Sequence, residues 1–168
     1  DADFTPRFLP TAAEMLQEAL EDVTGRPTER VAGAVTVSVP QPETTDWPAR
    51  ESYHLSVCST GITIEAPAEQ GAFWAMMTLI DLIRPEPDGG ARILAVDAHD
   101  QPALPWRIGS AWKGGPLANS VRRLARLKLN LAEVGADELA DGQALAAALR
   151  SVGIEPAVYL PAAPNGDT

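Results

Sequence analysis

The sequence has little cysteine, little histidine and no long apolar run. Its single cysteine, Cys58, excludes an intramolecular disulfide and zinc sites built from paired cysteines. No stretch of about 18 apolar residues occurs, so we expect no membrane span. No signal peptide is recognisable. The chain opens at Asp1 without an initiator Met, which is compatible with a processed product, and both secretion and a cytoplasmic location stay open.

Basic residues are scarce relative to acidic ones. The chain has 13 Lys and Arg against 23 Asp and Glu, a net charge of −10. A nucleic-acid binder needs a basic face to displace counterions from phosphates, so the net charge argues against this class. The excess of acids is confined to residues 1–100, which carry 17 acids and 6 bases, whereas residues 101–168 carry 6 acids and 7 bases. A length of 168 residues suits one domain, or a small domain with part of another.

The first hundred residues predict an α+β domain, mainly an antiparallel sheet with two helices on one face. Thr11 and Glu14 have the spacing of a capping box, and Gly25 suits a helix end, so a first helix is predicted between them. A second helix is predicted from Glu69 to Ile83. Its apolar residues surround the axis, which indicates burial on more than one side. Alternating residues predict strands at 34–39, 53–57, 62–64 and 92–98, with a turn at 84–90.

Three residues in this region carry more specific expectations. Gly71 lowers helix stability by about 1 kcal/mol relative to Ala, so we expect a close packing contact there. Cys58 ends an alternating strand and is predicted to be a small buried hydrophobe. His54 alternates with Tyr53 and Leu55 and is therefore predicted on the polar side of a hairpin.

From Pro105 onward the pattern changes to strand, helix, strand, helix, strand, which indicates parallel βαβ units. Asn119 is predicted to cap the first of these helices, with Val121, Leu124, Ala125 and Leu127 facing inward. The predicted domains are 1–101 and 102–160, followed by a disordered tail at 161–168. The predicted elements are strands at 106–112, 129–134 and 154–160 and a second helix at 137–152.

Five short motifs in a fixed order resemble the N-terminal, non-catalytic domain of family 20 glycoside hydrolases, the β-N-acetylhexosaminidases, as it runs into their barrel. The resemblance covers roughly residues 30 to 135. The motifs are Gly71 with Phe73, Thr78-Leu79, Asp100-x-Pro102, Pro105-Trp106-Arg107 and Lys128-Leu129-Asn130.

This resemblance implies a zincin-like accessory domain followed by the first βαβαβ units of an incomplete TIM-type barrel. The sequence has no His-Glu-x-x-His motif, so the likeness to zinc proteases would be one of shape. In the family an Asp-Glu pair after the fourth barrel strand performs hydrolysis with the substrate's own acetamide as nucleophile. That pair lies beyond this chain, which is therefore expected to be non-catalytic by itself. The alternatives are a stand-alone carbohydrate-binding or scaffold module and an unrelated α/β protein.

The substrate-binding candidates are Trp112, Lys113 and Glu133. After the first barrel strand the family usually has an Asp-x-x-Arg-His run, and residues 110–115 stand in its place here. The family's later His-x-His segment is replaced by Glu133 and Gly135. Glu133 is predicted at the C-terminal end of a parallel strand, where barrel active sites form. The rival interpretation of Glu133 is an ordinary charged strand end.

Other polar and aromatic residues are further candidates for sites. Asp97, His99 and Asp100 could form a metal site or an acid/base pair, but we favour the interpretation in which His99 and Asp100 lie on the interdomain connection, where Asp commonly caps a turn. No cofactor or metal is expected. The expected partners are an amino-sugar glycan and either the remainder of the barrel or a second copy covering exposed strand edges, with no nucleic acid or membrane. Among the tryptophans, Trp74 and Trp106 are expected in the core and Trp47 and Trp112 at the surface.

Overall fold

The computed structural model describes residues 5–29, 34–40, 46–110, 117–135 and 142–159, and the chain divides into two compact units, 1–105 and 106–168. The predicted tail at 161–168 lies outside the described residues. The helices are α1 (Leu9–Thr24), α2 (Glu69–Asp81), α3 (Leu117–Arg126) and α4 (Gly142–Arg150), with a 3-10 turn at Ala49–Glu51. The strands are β1 (Val35–Ser38), β2 (Tyr53–Cys58), β3 (Gly61–Glu65), β4 (Ile83–Pro85), β5 (Ala91–Ile93), β6 (Val96–Asp100), β7 (Ile108–Ser110), β8 (Leu131–Gly135) and β9 (Glu155–Tyr159).

The first unit contains a four-stranded sheet in the order β1-β3-β2-β6. The predicted hairpin is confirmed: β2 and β3 pair antiparallel, with Cys58 opposite Gly61. Strand β6 also pairs antiparallel with β2, whereas β1 pairs parallel with β3. The predicted strand at 92–98 is wrong, because the segment divides. Its first part, β5, pairs with β4 in a separate hairpin, and the turn of this hairpin at residues 86–90 lies within the predicted turn. The N–H of Leu94 donates to the carbonyl of Leu82 at 3.1 Å.

The core of the first unit lies between α2 and the sheet. Helix α2 is buried on nearly all sides, as predicted, with Phe73 and Trp74 almost fully inaccessible. The close contact predicted at Gly71 is present, because a Cβ there would lie 2.1 Å from the carbonyl oxygen of Ser52. The face of β2 that packs inward carries Tyr53, Leu55 and Val57.

Cys58 is exposed, so the prediction of a buried thiol is wrong. The reason is strand parity: Cys58 follows Val57 and falls on the outer face with His54 and Ser56. Its Sγ lies 3.1 Å from the Thr60 hydroxyl. That hydrogen bond lowers the pKa of the Cys58 thiol.

The N-terminus of α1 is closed by a residue from another helix. The helix begins at Leu9 and not at Thr11, and no side chain of its own caps it. Instead, one carboxylate oxygen of the buried Glu69 accepts hydrogen bonds from the backbone N–H groups of Arg7, Phe8 and Leu9, at 2.7, 2.6 and 3.1 Å. A carboxylate at this end also meets the positive end of the helix dipole. The predicted end at Gly25 is confirmed, with φ of 65°.

The second unit is a three-stranded parallel sheet in the order β7-β8-β9, as the βαβ pattern predicts. Ala132 and Val134 are buried on one face of β8. Asn119 lies inside α3, which begins at Leu117, so it is not the predicted cap. Leu127 is exposed rather than inward, because α3 ends at Arg126 and the chain turns with a positive φ at Lys128.

Tryptophan positions agree with the sequence in part. Trp74 is buried and Trp47 is exposed, as predicted, but Trp106 is 65% exposed and is not a core residue within its unit. Among the described residues, none of the helices has both the length and the apolar character needed to cross a membrane.

Candidate functional site

One of the three predicted site residues lies on the parallel sheet of the second unit. Glu133 is exposed on β8, in register with Ser110 on β7, and its Oε2 accepts a hydrogen bond from the Ser110 hydroxyl at 3.2 Å. Since Ala132 and Val134 face the buried side, Glu133 projects from the opposite face of the sheet. Trp112 and Lys113 lie outside the described residues.

The sheet face around Glu133 offers a hydrogen-bond acceptor. The described part of the unit has no second carboxyl group that could form an acid/base pair with it. Glycoside hydrolysis uses two carboxyl groups, or one carboxyl group and a group of the substrate, held on either side of the bond. The other described carboxylate of the unit, Glu155, lies 3.3 Å from the Nε of Arg150 and forms an ion pair with it. Glu133 is therefore suited to binding a hydroxyl group.

A second polar cluster lies on the outer face of the four-stranded sheet. His54 on β2 is directly opposite Glu65 on β3 and His99 on β6. The two imidazole rings stack with centroids 3.9 Å apart and planes 10° apart. The Nε2 of His54 lies 2.5 Å from the Oδ1 of Asp97, and its Nδ1 lies 3.4 Å from the Oε2 of Glu65.

The carboxylates set the charge of this cluster. The hydrogen bond to Asp97 raises the pKa of His54, and Glu65 adds to that effect against partial desolvation. The same hydrogen bond lowers the pKa of Asp97. At pH values between the ordinary pKa values of Asp and His, the folded state therefore favours a protonated His54 paired with an ionised Asp97.

Of Asp97, His99 and Asp100, the structure corrects the interpretation of the last two as residues of an interdomain connection in which Asp caps a turn. All three lie in β6, which is paired along its length with β2. Asp100 is separated from the other two by strand parity, and its Oδ2 accepts a hydrogen bond from the Tyr53 hydroxyl at 2.8 Å. The alternation of Asp97 and His99 could have placed them on one face. Their approach to His54 depends on strand register, which the sequence does not specify.

An open groove of about 790 Å³ lies in the first unit, where strands of the four-stranded sheet end. Its polar lining includes Ser52, His54, Glu65, His99 and Asp100. The groove therefore adjoins the histidine cluster, and its walls carry both hydrogen-bond donors and acceptors.

A helix-packed sheet domain followed by parallel βαβαβ units defines an accessory domain in front of an α/β barrel. The family model described as glycosyl hydrolase family 20, domain 2, matches residues 4–101. The chain belongs to this family, and the resemblance inferred from its motifs is confirmed. The comparison with curated proteins gave no match.

Several solved structures share the fold. The family 20 exo-β-N-acetylglucosaminidase of Vibrio harveyi, in complex with N-acetylglucosamine, has a TM-score of 0.69 at 17% identity, covering 92% of this chain and 31% of that one. The chitobiase of Flavobacterium johnsoniae has a TM-score of 0.71 at 16% identity, covering 92% and 29%. The N-acetyl-β-hexosaminidase of Streptomyces plicatus has a TM-score of 0.67 at 17% identity, covering 91% and 39%. The chain thus spans between 29% and 39% of the length of these enzymes.

Proposed function

We propose that this chain is the N-terminal part of a glycoside hydrolase that acts on β-linked N-acetylhexosamines. Residues 1–101 would be its accessory domain and residues 102–160 the opening units of its barrel. The observation that carries the proposal is the family match over residues 4–101, followed directly by three parallel strands. The structural relatives, which are N-acetylglucosaminidases and hexosaminidases, support the same substrate class.

By itself the chain is expected to be non-catalytic. Hydrolysis needs an acid placed within hydrogen-bond reach of the leaving oxygen and a site that excludes water. The described residues of the second unit supply Glu133 without a partner acid, on a sheet face where Ile108 is 59% exposed. The remainder of a barrel, or a second copy of the chain, would cover this face.

Within the complete enzyme, Glu133 is proposed to bind a sugar hydroxyl, together with Trp112 and Lys113. Active sites of such barrels form at the carboxyl ends of the strands. Glu133 is the middle residue of β8 and lies opposite Ser110, the last residue of β7, whose hydroxyl donates a hydrogen bond to its carboxylate.

The proposal is tested first by activity. The isolated chain should not hydrolyse a chromogenic N-acetylglucosaminide at high protein concentration, whereas the product of the complete native reading frame should. A reading frame confined to these residues would contradict the proposal. Turnover by the isolated chain that is lost in Glu133→Gln would contradict the non-catalytic assignment, because the chain would then carry its own acid.

Binding is the second test. In the product of the complete reading frame, Glu133→Gln should weaken binding of N-acetylglucosamine, measured by titration calorimetry. The matched control is Glu155→Gln, which removes a carboxylate of the same sheet that is held by Arg150. Equal weakening by the two variants would show that Glu133 has no specific contact with the sugar.

A further inference from the structure

The histidine cluster of the first unit has the composition of a metal site. The chain contains two histidines, and strand pairing brings both together with Asp97 on the outer face of the sheet. Their potential ligand atoms, a ring nitrogen from each histidine and a carboxylate oxygen, lie within 4.8 Å of one another. Two imidazoles and one carboxylate form a ligand set suited to zinc and neighbouring divalent metals.

The paired strands fix the backbone positions of these three residues. His54 lies on a central strand and is flanked by the strand that carries Asp97 and His99, two residues apart on the same face. Ligand atoms around zinc lie about 2.0–2.2 Å from the ion. The cluster must therefore contract, and the two stacked rings must tilt toward each other. Asp97 and His99 are exposed, which leaves their side chains room to rotate.

A second carboxylate supports the site from the next strand. Glu65 lies directly opposite His54, and its Oε2 is 3.4 Å from the Nδ1 of that ring. Histidines that bind metals usually donate their other ring N–H to a carboxylate or carbonyl, which fixes the tautomer and the ring orientation. With Nδ1 directed at Glu65, the Nε2 of His54 is directed toward Asp97, where the ion would lie.

From this geometry we propose that His54, Asp97 and His99 bind one divalent ion of the zinc and nickel class, with Glu65 orienting His54. Three protein ligands leave at least one position for water or another ligand. Binding replaces the hydrogen bond between His54 and Asp97 by bonds from both groups to the ion. The site lies within the first unit and is independent of the proposed glycosidase activity.

The test is calorimetric titration of the untagged full chain with Zn²⁺ and with Ni²⁺ at pH 8. The expected result is saturable binding of one ion per chain. His54→Ala and His99→Ala should each abolish it. Glu65→Gln should weaken it by about 10- to 100-fold, the usual effect of losing an orienting partner.

Two controls keep the result specific. Asp88→Asn, which alters an exposed carboxylate of the β4–β5 turn, should leave binding unchanged. Cys58→Ser should also retain it, which excludes zinc capture by the exposed thiol. The proposal is overturned by absence of saturable binding up to millimolar metal, by binding that persists in His99→Ala, or by binding that disappears in Cys58→Ser. Circular dichroism of each variant confirms that loss of binding is not loss of fold.

Discussion

The two units differ in how completely their own residues pair buried polar groups and cover the faces of their sheets. In the first unit, buried carboxylates form hydrogen bonds between elements. Glu69 accepts hydrogen bonds from backbone N–H groups at the start of α1, and Glu51 accepts one from the Trp74 indole at 3.1 Å. In the second unit, the described part of the sheet has a buried face and an uncovered one that carries Ile108 and Glu133. The described part of the first unit therefore has these stabilising contacts within itself, whereas the described part of the second leaves one face of its sheet exposed.

The second unit nevertheless has a specific internal connection. Asn130 is buried, and its Oδ1 accepts a hydrogen bond from the Arg107 backbone N–H at 2.9 Å. The Nε of Arg107 donates to the carbonyl of Lys128 at 2.8 Å. These hydrogen bonds join the residues before β7 to those before β8, and both groups of residues belong to motifs on which the family resemblance rests. They fix the start of the parallel sheet but do not cover its open face.

The largest expected effect comes from adding a methyl group at the tightest point of the first unit. In Gly71→Ala the new Cβ would lie 2.1 Å from the Ser52 carbonyl oxygen, which is backbone and cannot move without shifting β2. Overpacking of this kind should lower the free energy of unfolding by about 3 kcal/mol. Chemical denaturation followed by tryptophan fluorescence measures the change.

The matched substitution in the second unit is Gly109→Ala. There the Cβ would meet the side-chain ends of Leu129 at 2.3 Å and Leu124 at 3.1 Å. Leucine side chains can change rotamer, and the unit has an open face, so the cost should be about 1 kcal/mol. An equal or larger loss for Gly109→Ala would refute the claim that the first unit is the more tightly packed one.

Hydrogen exchange should separate the two units next. Local opening free energies range from near zero to the global value, so amides of a self-contained core should exchange about 100-fold more slowly than those of a half-covered sheet. We expect this difference between β2–β3 and β8–β9, measured by mass spectrometry on the native chain. Equal protection of the β2–β3 hairpin and of the parallel β8–β9 pair would show that the second unit needs no further cover.

A smaller effect should follow from removing the link between the two helices of the first unit. Glu69→Ala leaves three backbone N–H groups at the start of α1 without their acceptor. The expected loss of unfolding free energy is about 2 kcal/mol, and about half of that for Glu69→Gln, which retains an acceptor without the charge.

The control is Glu14→Ala, since the sequence predicts Glu14 as part of a capping box and the structure shows no such cap. Its effect should stay within about 0.5 kcal/mol, as for other exposed positions. If Glu14→Ala were the more damaging of the two, the assignment of Glu69 as the cap would fail.

How far the sequence predicts the structure depends on how far apart along the chain the interacting residues lie. The hairpin from Tyr53, the burial of α2 and the parallel βαβ order follow from local alternation and spacing, and all are present. The start of α1 was mispredicted because Glu69 is some sixty residues away from the helix it caps. The cluster around His54 was missed for the same reason, because register brings together residues that are 43 positions apart. Glu133 alone of the predicted site residues lies among the described ones.

The smallest expected effect concerns pH and a surface contact of the first unit. Glu21 accepts hydrogen bonds from the Gln17 side chain at 2.9 Å and from the Thr28 backbone at 3.0 Å. These hydrogen bonds lower the pKa of Glu21 below its ordinary value of 4.5, and the one from Gln17 has the largest effect. A carboxyl whose pKa is lower in the folded state contributes stability above its unfolded pKa, and that contribution is lost as the pH falls through the folded pKa. Glu21→Gln should therefore reduce stability slightly at pH 7 and flatten the decline below pH 4.5, measured by thermal unfolding across that range. An unchanged slope would mean that the bonds to Glu21 persist when it is protonated.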